Sequence, residues 1–227
     1  MNRPIRILAA VPVVAGLAWL AAHAFEAGAA GSRVFDAGVT MQSWSSSRVR
    51  QPASDALMEV REDLVRAQAT TPEDPAIHEL LGLIDARRGE GQEFLPEAAA
   101  HFVTAIRLRP TSPQTWSSLA AVKYGLGDTG AAFEAAIGHA AKLGTYEPDV
   151  QGVVANYGLA VWNETGPETR AAIEAVIVAA MKRNPLEMLQ IAERRGRLDI
   201  VCHHLAGSTR QVEPKWSQLC QSMEATS

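Results

Sequence analysis

Residues 113–144 read PQTWSSLAAVKYGLGDTGAAFEAAIGHAAKLG, and this stretch decides the fold class. Pro113 suits the first turn of a helix, where its missing N–H costs nothing. Trp116, Leu119 and Ala120 then fall three and four residues apart, on one helical face. Gly127-Asp128 breaks the pattern after Lys123-Tyr124. A second helical run follows in which Ala132 and Ala136 offer small packing positions, and it closes at Gly144. Two short helices joined by a glycine turn make a helical hairpin, and neither helix buries its apolar face alone.

The same punctuation recurs upstream at a period near 34 residues. From Pro75, Leu81-Gly82 repeats the large–small pair and Gly89 marks the turn. Ala98, Phe102, Ala105 and Pro110 then follow on the second helix. Pro72 stands before Pro75 as Pro110 stands before Pro113, a closing and an opening proline at the same offset. About four extra residues relative to the repeat template sit in the loop of this copy, within EGQEFLPE at 90–97. Asp55 to Ala69, with Val60, Leu64 and Ala67, reads as the second helix of an earlier unit whose first helix is Phe35 to Trp44. Downstream, Pro148 to Trp162 and Glu168 to Arg183 form a third pair around a Glu164-Thr165-Gly166-Pro167 turn. Leu186 to Arg195, Ile200 to Leu205 and Glu213 to Met223 cap the array.

This order of large, small and turn residues resembles the tetratricopeptide repeat (TPR). The resemblance implies an all-α chain, a TPR-like α-solenoid of antiparallel helix pairs, and the apolar run at residues 7–25 sets it behind an N-terminal transmembrane helix. The resemblance assigns packing roles to Leu81, Gly82, Ala98, Phe102, Ala105, Pro110, Trp116, Leu119, Ala120, Gly127 and Ala132. A non-repeating, alanine-rich helical bundle is the competing reading. TPR scaffolds hold protein partners, so a partner is the expected ligand.

Ahead of the repeats, Ile7 to Phe25 forms an uncharged apolar run preceded by Arg3 and Arg6. As a helix it spans roughly 30 Å, the thickness of a bilayer core. Positive charge before the run favours an N-in orientation, which leaves the rest of the chain across the membrane. The alternative is a cleaved signal peptide, for which Ala22-His23-Ala24 has the small-x-small pattern. Gly28-Ala29-Ala30-Gly31-Ser32 reads as a flexible spacer. The chain therefore divides into an anchor or signal segment (1–27), a linker and partly ordered lead-in (28–53), the repeats (54–185) and capping helices (186–227). This puts the chain in the inner membrane with its C-terminal domain in the periplasm, or free in the periplasm after cleavage.

Composition narrows the function classes. With 47% hydrophobic and 20% charged residues the chain is not wholly disordered. A net charge of −4 lacks the basic footprint of a nucleic-acid binder. Its two cysteines, Cys202 and Cys220, are too few for a disulfide framework, yet in an exported domain they are candidates to pair. Cys202-His203-His204 is the densest run of potential metal ligands, but neighbours on a helix diverge by about 100° and do not converge on one ion. His78-Glu79 lacks the second histidine of a zinc-protease helix, and neither Gly89-Glu90-Gly91 nor Gly125-Leu126-Gly127 is followed by the Lys-Ser/Thr of a phosphate loop. No catalytic residue, cofactor or metal is expected. Arg183, Arg194, Arg195 and Arg197 gather late in the chain and are candidates for binding a partner or an acidic polymer.

A narrower resemblance rests on Arg109-Pro110-Thr111-Ser112-Pro113-Gln114-Thr115-Trp116, Leu143-Gly144-Thr145-Tyr146-Glu147-Pro148-Asp149-Val150-Gln151 and Gly158-Leu159-Ala160-Val161-Trp162. Together with the apolar N-terminal segment and the late cysteine, these resemble the VpsP family of bacterial exopolysaccharide-biosynthesis proteins. That resemblance implies a non-catalytic accessory scaffold that assists assembly or regulation of polysaccharide synthesis or export through protein contacts. Two alternatives stay open: an assembly factor for another envelope machine (pilus, secretion or cytochrome maturation), and a module that binds polysaccharide directly.

Overall fold

The structure is a computed structural model that describes residues 3–46, 53–88, 92–205 and 214–224, with side chains described from Pro12 and as far as Gln221. Among these residues there are helices and no strands. The chain forms two compact units, residues 1–88 and 89–227.

The first unit holds α1 (Arg3–Ser46), α2 (Ser54–Thr70) and α3 (Pro75–Asp85), and each of the three packs against the other two. Ala30, Ala37 and Met41 recur at heptad-like spacing along α1 and are buried with Leu57, Leu64 and Ala67 of α2 and Ile77, Leu81 and Ile84 of α3. Trp44 and Val60 pack at the edge of this core. Asp85 is wholly buried in the unit, and Arg61 Nε donates to its Oδ1 at 2.8 Å. A carboxylate with no exposure needs such a partner, because desolvating it alone is prohibitive.

Two expectations change here. Gly28 to Ser32 is not a spacer, because α1 runs through it without a break as one 44-residue helix. The stripe of Ala30, Ala37 and Met41 begins inside that segment, so packing on α2 and α3 offsets the helix penalty of its glycines, about 1 kcal/mol each. Phe35 to Trp44 accordingly belongs to the same helix as the apolar run. From Pro12 to Trp44, α1 is long and apolar enough to cross a membrane or to serve as a signal sequence. Val13, Val14, Leu17, Trp19, Leu20 and Phe25 on it are all exposed.

The second unit holds α4 (Leu95–Leu108), α5 (Pro113–Gly125), α6 (Ala131–Leu143), α7 (Pro148–Ala160), α8 (Pro167–Arg183), α9 (Pro185–Arg195), α10 (Leu198–Cys202) and α11 (Pro214–Glu224). Consecutive helices touch, and α5 also meets α7, α7 meets α9, and α6 meets α8. Two rows result, one of α5, α7 and α9 and one of α6 and α8. Gly158 lies where α7 crosses α8: an added Cβ would stand 2.8 Å from Ile173 Cδ1. The boundary between the units, at Arg88–Gly89, falls inside the segment that reads as the Pro75–Pro110 repeat. Helix α3 has its core with α1 and α2, whereas α4 packs on α5; Gly89 itself lies outside the described residues.

Within the chain the repeat register is more regular than its letters. Pro75, Pro113, Pro148 and Pro185 each occupy the first turn of a helix. Seven positions on from each proline stands a small buried residue after a large one: Leu81-Gly82, Leu119-Ala120, Val154-Ala155 and Ile191-Ala192. Three residues after the first three prolines, a side chain donates back to the carbonyl six residues earlier. His78 Nε2 meets Pro72 O at 2.8 Å, Trp116 Nε1 meets Pro110 O at 2.7 Å, and Gln151 Nε2 meets Thr145 O at 2.7 Å. The intervening helices α2, α4, α6 and α8 end alike, the cap N–H bonding to the carbonyl of Ala67, Ala105, Ala140 and Ala180. One turn earlier stand Leu64, Phe102, Ile137 and Ile177, all fully buried.

That register corrects the assignment on α6. Ala132 is exposed, and Phe133, Ile137 and Ala140 take the places held by Ala98, Phe102 and Ala105 on α4. The turn between α5 and α6 is one residue longer than the repeat template requires, which shifts the buried face by one position. Pro110 is also exposed, and its contribution is the carbonyl that accepts from Trp116. Leu81, Gly82, Ala98, Phe102, Ala105, Leu119 and Ala120 are buried. Gly127 is exposed with φ 73°, a left-handed turn position that suits glycine.

Candidate functional site

The row of α5, α7 and α9 carries the polar constellation that draws most helices together. Tyr124 lies near the end of α5, Asn156 and Tyr157 on the third turn of α7, and Arg195 at the last position of α9. The tyrosine rings stand 4.9 Å apart, tilted to one another. The Arg195 guanidinium carbon sits 5.6 Å from the Tyr124 centroid and 5.9 Å from that of Tyr157, within range of cation–π attraction. Arg195 Nε donates to Asn156 Oδ1 at 3.0 Å, and Nη1 lies 3.5 Å from the Tyr124 hydroxyl. All four side chains are half-buried.

Local sequence accounts for the way these groups meet. Gly196 takes φ 64° and ends α9 in the left-handed cap, and Arg197 N closes the turn on Ala192 O at 2.8 Å. This sets Arg195 on the final turn, where a cation also complements the helix dipole. On α7, Asn156 and Tyr157 follow directly on the buried Val154-Ala155 pair, so the register that seats the pair also sets the direction of the polar residues. Tyr124 also meets Phe133 of α6, with centroids 6.3 Å apart and the rings tilted.

The other candidate arginines have different fates. Arg183 Nη2 donates to Gln151 Oε1 at 2.5 Å, joining the end of α8 to the start of α7. Arg194 is exposed, and Arg197 is half-buried at the link between α9 and α10. Of the four, Arg195 is the one that reaches side chains on both α5 and α7. The sequence singles out Arg195 as a charge but not its companions; Tyr124 reads as repeat packing, and Asn156 carries no signal of its own.

Elsewhere several titratable groups pair off. Lys123 Nζ lies 2.8 Å from Asp128 Oδ2, and this bond, more than the charge alone, holds the Asp128 carboxyl below the usual carboxylate range. Lys142 does the same for Glu168 across α6 and α8, at 2.6 Å. Cys202 and Cys220 are joined in a disulfide, so the Cys202-His203-His204 run holds no free thiol, and His204 Nε2 is directed to Glu174 Oε1 at 3.3 Å. Among the described residues, no three His, Cys, Asp or Glu side chains converge as a metal would need. In the first unit, an apolar groove of about 390 Å³ runs between α1 and α3, flanked by Val34, Phe35, Val39, Leu80 and Leu83.

The constellation on α5, α7 and α9 sets a guanidinium beside an amide oxygen and two tyrosine rings. The chain matches no family model, and no curated protein matches it in sequence.

Proposed function

We propose that this chain is a non-catalytic, membrane-tethered helical-repeat scaffold that holds a protein partner on the α5–α7–α9 row. In this reading α4 through α9 form a short TPR-like α-solenoid, and α10 and α11 cap its end. The single observation that carries it is the juxtaposition of Tyr124, Asn156, Tyr157 and Arg195 from three successive first helices of the repeat. The recurring large–small pairs and back-donating side chains support the repeat assignment, because each hairpin uses one solution to seat itself on the previous one.

The compartment follows from two features. The exposed apolar half of α1 supports insertion in a membrane. The Cys202–Cys220 disulfide supports an oxidising environment for the C-terminal helices, since such bonds rarely persist in a reducing cytoplasm. The scaffold therefore works on the outer face of the inner membrane. The resemblance to VpsP supports exopolysaccharide synthesis or export as the machinery served.

Affinity capture of the C-terminally tagged protein from solubilised native membranes tests this. Polysaccharide polymerase, chain-length or export components should co-purify with the wild type and be lost from an Arg195→Gln, Tyr157→Ala double variant. Recovery of pilus, secretion or cytochrome-maturation components would overturn the polysaccharide assignment and leave the scaffold standing. Recovery of no protein at all would overturn the scaffold itself.

A further inference from the structure

Arg195 differs from the ion-paired cations of the chain in what compensates it. Arg61 is paired with Asp85, Lys123 with Asp128 and Lys142 with Glu168. Arg195 is half-buried, yet its partners are an amide oxygen, a phenol and two rings, none of them anionic. A guanidinium has five N–H donors. One, on Nε, is spent on Asn156, and one on Nη1 makes at most a long contact to Tyr124. Among the described residues the Nη2 pair bonds to no protein group. What remains is one edge of a planar fork, held by the bond to Asn156 and set beside two rings, with no ion-pair partner among the described residues.

We infer that Arg195 receives the carboxylate of an Asp or Glu side chain from the partner segment that docks on the α5–α7–α9 row, an inference that rests on the scaffold reading above. Complementarity of shape and charge points to that ligand. A planar fork with two free parallel donors matches a carboxylate bidentately. The bond to Asn156 holds the fork before binding, so little side-chain entropy remains to be lost on docking. The occupant is a peptide segment and not a sugar, because the neighbouring positions are apolar. Ala121 stands one turn before Tyr124, and Val153 and Ala160 flank Tyr157 on its helix, all three half-buried. They suit the aliphatic side chains beside an acidic residue.

The test uses the full chain in lipid nanodiscs, panned against a displayed library of random dodecapeptides. Enriched peptides should carry Asp or Glu at one fixed position, with Asn and Gln excluded there. The best synthetic peptide should then bind about tenfold or more weakly to Arg195→Gln, the loss expected for one charge-assisted contact. Changing its acidic residue to the amide should cost the same, and the two changes together should cost no more than either alone. Arg195→Lys, which keeps the charge and loses the fork, should fall between, and Arg194→Gln should leave binding unchanged. If Arg195→Gln fails to fold, the peptide-side substitution and Arg195→Lys carry the test alone. Enrichment without an acidic position, or an acidic preference that Arg195→Gln leaves intact, overturns this inference while the scaffold stands. An empty panning joined to an empty membrane capture overturns both.

Discussion

Gly158 is where residue-scale chemistry is most directly testable. In a helix an alanine is worth about 1 kcal/mol more than a glycine, so propensity alone makes Gly158→Ala stabilising. The new Cβ, however, would meet Ile173 at 2.8 Å and 2.9 Å, across the α7–α8 crossing. Ile173 is fully buried and has nowhere cheap to move, and overpacking of this kind costs about 1–3 kcal/mol. We expect the variant to melt several degrees below the wild type in a thermal scan; a higher melting temperature would show that the crossing has slack. The same scale shows what the sequence makes legible. Leu81, Gly82, Leu119 and Ala120 are readable because a large–small pair at a fixed distance from an opening proline marks the place where two helices cross. Ala132 misleads because α6 is so rich in alanine that its buried face is ambiguous by one residue, and Phe133, the bulkiest side chain there, breaks the tie only once the turn length is known. Arg195 is visible as a charge, but its cage is not, since Tyr124, Asn156 and Tyr157 come from two other helices and no spacing along the chain relates them to it.

Among the elements, α1 departs furthest from its sequence pattern. Its Gly28 to Ser32 segment has the composition of a linker, and its two glycines weaken the helix propensity of the alanines between them. The helix is stabilised from a distance, by Ala30, Ala37 and Met41 packing on α2 and α3, which is why pattern reading stops short of it. Hydrogen exchange distinguishes helix from spacer: amides from Gly28 to Ser32 should be protected to the same degree as those of 33–41, whereas a spacer would exchange at once. At the other end of the chain, α11 is tied to α10 through Cys202–Cys220, closing a separation of 18 residues. A loop of that size restricts the unfolded chain by about 3 kcal/mol. Reduction, or the Cys202→Ser, Cys220→Ser pair, should therefore speed exchange in α11 and expose Trp216, which is almost fully buried beside Lys215, while α5 to α8 keep their protection. Protection in α11 that survives reduction would mean that Trp216 packing, and not the bond, holds the cap.

At the scale of the whole molecule, the proposed arrangement of anchor, repeat and cap makes one linked prediction about the cell. If α1 is an uncleaved anchor with its N-terminus inside, the protein should resist carbonate extraction, keep its full N-terminal mass and be digested by protease added to spheroplasts. Its two cysteines should stay unreactive to a maleimide until a reductant is added, because the C-terminal helices then lie in an oxidising space. Cleavage after Ala24 gives a different set: a soluble periplasmic protein beginning at Phe25, with the same closed disulfide. The described side chains lost in that event, from Pro12 to Ala24, are all exposed, and the core stripe of α1 begins only at Ala30, so cleavage would leave both units intact. Anchoring and folding are therefore separable, and the two readouts answer different questions. Thiols that alkylate freely without reductant in intact cells would place the C-terminal helices in the cytoplasm, and would remove the reason for seeking the partner of Arg195 among the machines of the envelope.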